Sequence, residues 1–323
     1  MSLTKSSDLR PFAMQLHYYK LFGMAVRSEV EFAEFTLLPP DERLTTTFPW
    51  VDVVYTDVPE TLPDSFQVVD WIEATKTECL FHVAEKCRLL VSNGNRLSLD
   101  LYPGVDLKDV RPYLTTCGFA TLAFQNQYLP LHVSAAETPK GVVLFAGPSG
   151  AGKSTLAVGL KEKLGWSLLG DDLAVCEIRS SAEDGIHGSC HFGVNKVKLW
   201  ESASDALELD KTNLEQDFFR PYKYHIRVSE GRAFVPISDI SAIVKLQWSD
   251  NDAGLIRSTK SVGFETVMNS IYPPYMAQLY LDLVSVRSKV LQLMSGLDAF
   301  TLYRTNATWS LDSTIDALNQ HFG

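Results

Sequence analysis

Residues 147 to 155 read Gly-Pro-Ser-Gly-Ala-Gly-Lys-Ser-Thr, a complete G-x-x-x-x-G-K-[ST] phosphate loop, and this short stretch constrains the fold more than any other. Gly147, Gly150 and Gly152 allow a tight turn in which successive backbone N–H groups and the positive end of the next helix converge on phosphate oxygens. Pro148, Ser149, Ala151 and Thr155 complete the cradle. Lys153 is placed to reach the outer phosphates and Ser154 to ligate magnesium, so the loop predicts binding of a nucleoside triphosphate with Mg2+.

The flanks agree with that reading. Gly141 to Ala146 is an apolar run with the composition of a buried strand, and Lys153 to Leu164 reads as a helix. Leu156, Leu160 and Leu164 recur on one face of that helix, while Lys161, Glu162 and Lys163 lie largely off it. Gly165 sits where a C-terminal cap belongs. Strand, loop and helix follow in the order the chemistry requires.

The chain has 323 residues, enough for two domains or one large one. Its 29 basic and 39 acidic residues give a net charge of −10, which argues against general affinity for nucleic acid or anionic membrane. The five cysteines, Cys79, Cys87, Cys117, Cys176 and Cys190, are odd in number and form no C-x-x-C pair. The polar stretch Met1 to Arg10 lacks the apolar segment of a signal peptide, so the reducing cytoplasm is the expected compartment. No apolar run approaches the roughly 20 residues needed to span a bilayer. His187, Cys190 and His191 lie close together but lack a second ligand pair, and are read as a turn entering a strand after the loop-like Ser180 to Gly188.

Up to about residue 100 the chain looks rich in strands. Trp50 to Val54, Leu80 to Val83, Leu89 to Val91 and Leu97 to Leu101 are candidates, and Asn93-Gly94 between the last two is a hairpin signal. Leu37 to Glu42 and the threonines after it read as a surface loop. Asp106 to Gln127 is helical by pattern, with Pro112 and Gly118 expected to break it in two. A boundary is placed near residue 128, giving a strand-rich N-terminal domain over 1–128 and a second domain over 129–323. The second domain is expected to add strands at Leu131 to Ala135, Val194 to Trp200 and Ser241 to Gln247. A polar turn at Trp248 to Gly254 and helices between Phe264 and Met294 complete the reading.

Binding a triphosphate is not yet chemistry, because transfer also needs a magnesium-directed carboxylate and a group to orient the acceptor. Asp171 and Asp172 follow the phosphate-loop helix by one strand, which returns the chain to the loop. In an extended backbone they would face opposite ways, one toward magnesium and the other toward the acceptor. His132, on the expected strand Leu131-His132-Val133, could approach the pair and tune a general base.

Together His132, the loop Gly147 to Thr155 and the pair Asp171-Asp172 resemble the C-terminal domain of HPr serine kinase/phosphorylase. The resemblance spans Leu131 to Ile178. It implies an α/β fold with a mixed sheet core, a phosphate-loop kinase domain of the HPr kinase and phosphoenolpyruvate carboxykinase type. It also implies ATP and magnesium as cofactors and a serine hydroxyl on a peptide or small protein as acceptor. Carried over, Asp171 with His132 would be the base, Asp172 with Ser154 would serve magnesium, and Lys153 would neutralise the transferred phosphoryl.

The downstream signature of the bifunctional enzymes is not found in this chain. His17 to Gly23, Arg27-Ser28-Glu29 and Lys198-Leu199-Trp200 are instead similar to the stand-alone kinases of lasso-peptide biosynthesis, which phosphorylate the C-terminal residue of a precursor peptide. Self-association into a homo-oligomer is compatible with all of this. Two substrate-side groups are suggested: Arg220, Lys223 and Arg227 among aromatic residues, and Lys196 with Lys198 on one face of a strand. The competing readings are a small-molecule kinase like the adenylylsulfate kinases and an ATP-binding switch without transfer. The long stretch ahead of the loop argues against the first, and the carboxylate pair with His132 against the second.

Overall fold

The structure is a computed structural model and describes residues 15–181, 185–191, 193–217, 222–227, 237–250, 254–305 and 311–323. The N-terminal part is a sheet of nine strands: β1 (His17–Leu21), β2 (Met24–Ser28), β3 (Thr36–Leu37), β4 (Trp50–Tyr55), β5 (Phe66–Val69), β6 (Ile72–Ala74), β7 (Glu78–Val83), β8 (Cys87–Ser92) and β9 (Arg96–Leu101). Their order is β3-β1-β2-β4-β9-β8-β7-β6-β5. The Asn93-Gly94 signal does join β8 to β9, with both residues at positive φ. The expected surface loop after Leu37 holds a 3-10 turn at Glu42–Leu44, and Leu38 beside it is buried.

Next comes a helical run, α1 (Leu107–Tyr113) and α2 (Phe119–Gln125), with a π-helical turn at Leu114–Gly118 between them. The expected division at Pro112 and Gly118 takes the form of this π-helical turn, which separates α1 from α2 without a loop between them. Proline removes one backbone donor, and the helix responds by widening over the following turn while Thr116 Oγ1 donates to the Pro112 carbonyl at 2.6 Å.

The second sheet begins with β10 (Leu129–Leu131) and β11 (Ser134–Thr138). The single strand expected at Leu131 to Ala135 is therefore interrupted, and His132 and Val133 form a bend between two strands. The cause lies in their partners: β10 pairs with a later strand while β11 serves the phosphate-loop strand, and the His132 N–H donates to the Ser270 carbonyl at 2.6 Å. β12 (Gly141–Ala146) and α3 (Lys153–Leu164) have the expected bounds, and the Gly165 N–H caps α3 by bonding the Lys161 carbonyl. Leu156 and Leu160 bury the inner face of α3. Truncating either to alanine should cost roughly 2–5 kcal/mol.

β13 (Ser167–Gly170) returns to the loop, and β14 (Ala174–Ser181) and β15 (Gly185–His191) follow as a hairpin. Ser180, Ser181 and Gly185 to Gly188 are thus strand rather than loop, paired residue by residue across the hairpin, and residues 182–184 lie outside the described residues. Cys190 faces Cys176 there, His191 bonds Glu177 at 3.0 Å, and His187 lies 3.8 Å from Asp239, so these side chains turn to separate partners. All five cysteines are buried free thiols.

The rest comprises β16 (Lys196–Trp200), α4 (Glu201–Ala206), β17 (Glu215–Gln216), β18 (Lys223–Arg227), β19 (Ile237–Trp248), β20 (Gly254–Arg257), α5 (Lys260–Ser270), α6 (Pro274–Tyr280), α7 (Leu283–Gly296), β21 (Asp298–Arg304) and α8 (Leu311–Phe322). β16, β18 and β17 make a small sheet of their own. In the second large sheet β12 runs parallel to β19, β19 runs parallel to β21, and β11 lies antiparallel to both β12 and β13. The molecule is thus mixed α/β with several sheets and a strand-rich N-terminal region. The first sheet uses residues 17–101 and the second starts at 129, yet one apolar cluster draws Tyr19, Phe32 and Leu97 together with Leu131, Val175 and Val290. None of the described helices is long and apolar enough to cross a membrane.

Candidate active site

Strand direction brings the site together. β12, β13, β19 and β21 all end at one edge of the sheet, where β11 begins. Ligand sites in such sheets form beyond the carboxyl ends of the strands. Here that edge carries the phosphate loop after β12, Asp171 and Asp172 after β13, His132 and Ser134 at the start of β11, Trp248 at the end of β19 and Arg304 at the end of β21. A cavity of about 620 Å³ opens there, with the loop from Ser149 to Thr155, His132, Asp172, Trp248 and Arg304 in its wall.

Gly152 stands at the N-terminus of α3 with φ 77° and caps it without a side chain, which leaves the first amides of the helix turned toward the cavity. A Cβ at Gly152 would come within 3.2 Å of Arg304 Nη1, so the left-handed backbone and the close guanidinium both call for glycine. Lys153 is buried and its Nζ donates to the carbonyls of Gly147 at 2.8 Å and Pro148 at 3.3 Å. Burial lowers its pKa, and Asp172 and then Asp171 pull the other way.

The two aspartates are not in an extended backbone. Asp172 has φ 62° and points to solvent in the cavity, whereas Asp171 is buried. Asp171 Oδ1 accepts from Ser134 Oγ at 2.5 Å and from Ser154 Oγ at 3.1 Å. Its Oδ2 is buried without a hydrogen-bond partner. Burial, and then the Asp172 charge, push the Asp171 carboxyl up to about 6. The expected pairing of Ser154 with Asp172 differs from this geometry, because the carboxylate that reaches the Ser154 hydroxyl is Asp171.

His132 Nδ1 lies 2.8 Å from the backbone carbonyl of Asp172, so the ring neighbours Asp172 rather than the Asp171 carboxylate it was expected to assist. Tyr272 supports the ring from the side, 5.7 Å between centroids. A buried carboxylate oxygen without a donor, next to the hydroxyl of the phosphate-loop serine, is a fitting seat for a hard divalent cation. Magnesium needs only one or two carboxylates beside substrate phosphates. Among the described residues no cluster of three or more His, Cys, Asp or Glu side chains offers a metal site.

The lysines of the small sheet are less free than their sequence suggests. Lys196 pairs with Glu215 at 2.7 Å and Lys198 with Asp217 at 3.0 Å. Lys198 nonetheless lines the cavity, as do Trp200 and Lys223, whose Nζ lies 4.7 Å from the Trp200 ring centroid. Arg227 is exposed at the end of β18, and Arg220 lies outside the described residues. Four site residues carry no signal that the sequence reading used: Ser134, Thr116, Trp248 and Arg304. Ser134 lies two residues from His132, and Arg304 is a charged residue closing a strand whose preceding residues are largely apolar after Asp298. Those were the only local hints.

No protein-family model matches the sequence. No curated protein matches it either. Among solved structures, the HPr(Ser) kinase/phosphatase from Coxiella burnetii is matched over 59% of this chain and 95% of its own, with 11% identity and a TM-score of 0.30. So remote a likeness carries neither that protein's fold nor its activity over to this chain.

Proposed function

We propose that this chain is a cytoplasmic ATP-dependent kinase, with a phosphate-loop core of the HPr kinase type, that transfers a phosphoryl group to a serine hydroxyl of a peptide or small protein. One observation supports this above all. A phosphate loop, a buried carboxylate bonded to Ser154, and a second carboxylate beside a histidine meet at a single strand edge.

Mg-ATP, when bound, supplies the electrophilic phosphorus and a leaving group whose charge must be neutralised. Lys153 and the amides from Gly150 to Ser154 hold the phosphates. Ser154 and Asp171 serve the cation, and Asp172 with His132 orients the acceptor hydroxyl and takes its proton. This exchanges the roles that the resemblance gives to the two aspartates. Within the acceptor class, the residues His17 to Gly23 and Lys198-Leu199-Trp200 favour the C-terminal residue of a lasso-peptide precursor. Lys198 and Trp200 standing in the cavity wall suits a peptide near the phosphates.

The test is to incubate the purified chain with Mg-ATP and serine-containing peptides, those encoded beside its gene included, and to read peptide mass. Gain of one phosphoryl group on a hydroxyl is the expected result. ATP binding without transfer to any peptide or small molecule would leave a non-catalytic binding module instead.

A further inference from the structure

Across the strand edge that carries the phosphate loop, charge is laid out in one direction. On one side β13 ends in Asp171 and Asp172; on the other β19 and β21 end in Trp248 and Arg304, which are partners in register. The acidic side has work in the reading above. The cationic and aromatic side has none so far.

Arg304 is an unusual residue to find buried. It is only 4% exposed, its Nη2 donates to the Ala151 carbonyl inside the phosphate loop, and its Nε has no hydrogen-bond partner. Among the described residues no carboxylate pairs with it, and burial pushes its pKa down to about 10. A guanidinium taken out of water is normally compensated by an anion. The space in front of it is the cavity that the phosphate loop also faces. Trp248 covers the guanidinium from one side, with 4.5 Å between the guanidinium carbon and the ring centroid. The indole is 40% exposed, and it too lines the cavity.

We propose that Arg304 and Trp248 form the nucleoside end of the pocket, the guanidinium holding the inner phosphates of a nucleotide and the indole stacking on its base. The proposal rests on nucleotide binding at the phosphate loop and adds its direction: the base lies toward β19 and β21, the transferred phosphoryl toward β13. Arginine suits the phosphates because its planar fork matches two oxygens at once. Stacking is tolerant of base identity, so the site selects a nucleoside over a bare polyphosphate more strongly than one base over another.

The experiment compares three probes, Mg-ATP, Mg-ADP and inorganic tripolyphosphate with magnesium, by calorimetric titration into wild type, Lys153→Ala, Trp248→Leu and Arg304→Gln. Trp248→Leu should weaken ATP and ADP by about tenfold or more, the loss of one base-stacking contact, and leave tripolyphosphate within about twofold. Arg304→Gln should weaken all three. Trp248 is partly exposed, so its variant remains a fair test even if the buried Arg304→Gln does not fold. Unchanged ATP affinity in Trp248→Leu, or an equal loss for tripolyphosphate, would overturn the proposal. If wild type binds nucleotide through Lys153 while Trp248→Leu and a folded Arg304→Gln bind like wild type, this inference alone is wrong. If wild type binds none of the probes, the kinase reading falls with it.

Discussion

His132 Nδ1 donates a hydrogen bond to the main-chain carbonyl of Asp172 across 2.8 Å. A carbonyl can only accept, so the proton must sit on Nδ1, and in the neutral ring Nε2 is left as the acceptor. The contact therefore fixes the tautomer that a general base requires. It also ties the ring to the backbone of the residue whose carboxylate faces the same cavity.

Loss of His132 should accordingly slow transfer without abolishing it. In a loose transition state the base mainly positions the acceptor and removes a proton late. His132→Ala is expected to lower turnover by roughly ten- to a thousandfold with ATP affinity nearly unchanged. If the histidine and Asp172 act as a unit, His132→Ala combined with Asp172→Asn should be little worse than Asp172→Asn alone. Single-turnover kinetics on the three variants decide it, and fully multiplicative losses would separate the two residues.

The aspartates should fail in different ways. Asp172→Asn should keep Mg-ATP affinity and lose transfer, whereas Asp171→Asn should lose the magnesium dependence of nucleotide binding. Titrating nucleotide with and without magnesium tests this, and the opposite pattern would restore the assignment implied by family resemblance. Asp171→Asn also removes a charge from a buried site where one carboxylate oxygen has no donor. The ligand-free variant should melt roughly 2 °C or more above wild type in mildly alkaline buffer, stability gained at the expense of activity.

Lys153→Ala should abolish transfer and greatly weaken ATP binding, because the ammonium stands where charge accumulates on the phosphates. Unchanged turnover in the purified variant would remove the phosphate loop from the reaction.

Acid should destabilise the small sheet of β16, β17 and β18. Burial would raise the Asp217 carboxyl, but bonds from His225 at 2.8 Å and Lys198 at 3.0 Å override it and hold it down at about 2. The stability this gives is present above the unfolded value of about 4 and is lost as pH falls toward about 2. His225 is also lowered, by burial first and against the pull of Asp217, so its share is lost as pH drops below the unfolded histidine value of about 6.5. Melting temperature should fall on acidification in two stages. His225→Gln should flatten the upper one, and a profile identical to wild type would show that the histidine does not contribute.

The most local parts of the architecture were the most legible. The apolar run of β12, the leucine spacing of α3 and its glycine cap are each decided within a few residues, and their bounds match the sequence reading. The strand through His132 was misjudged because its two halves answer to different neighbours, which no local pattern reveals. Which of Asp171 and Asp172 meets the Ser154 hydroxyl is equally invisible to local pattern. Which carboxylate turns inward depends on the positive φ of Asp172 and on Ser134, both set by the meeting of β11 and β13. Trp248 and Arg304 reach the loop from about a hundred residues or more away in sequence, through parallel pairing alone.

The apolar cluster that runs through both large sheets has a consequence for genetics. At Gly23, φ is +76° and a Cβ would sit 2.7 Å from the His191 ring, so the first hairpin is pressed against β15 with no room for a side chain. Damage in that hairpin is transmitted to the sheet that carries the phosphate loop, since the two share their interior. A screen for inactive alleles would therefore gather many substitutions between residues 17 and 101, in positions that never meet a nucleotide. Their purified products should be scarce rather than slow.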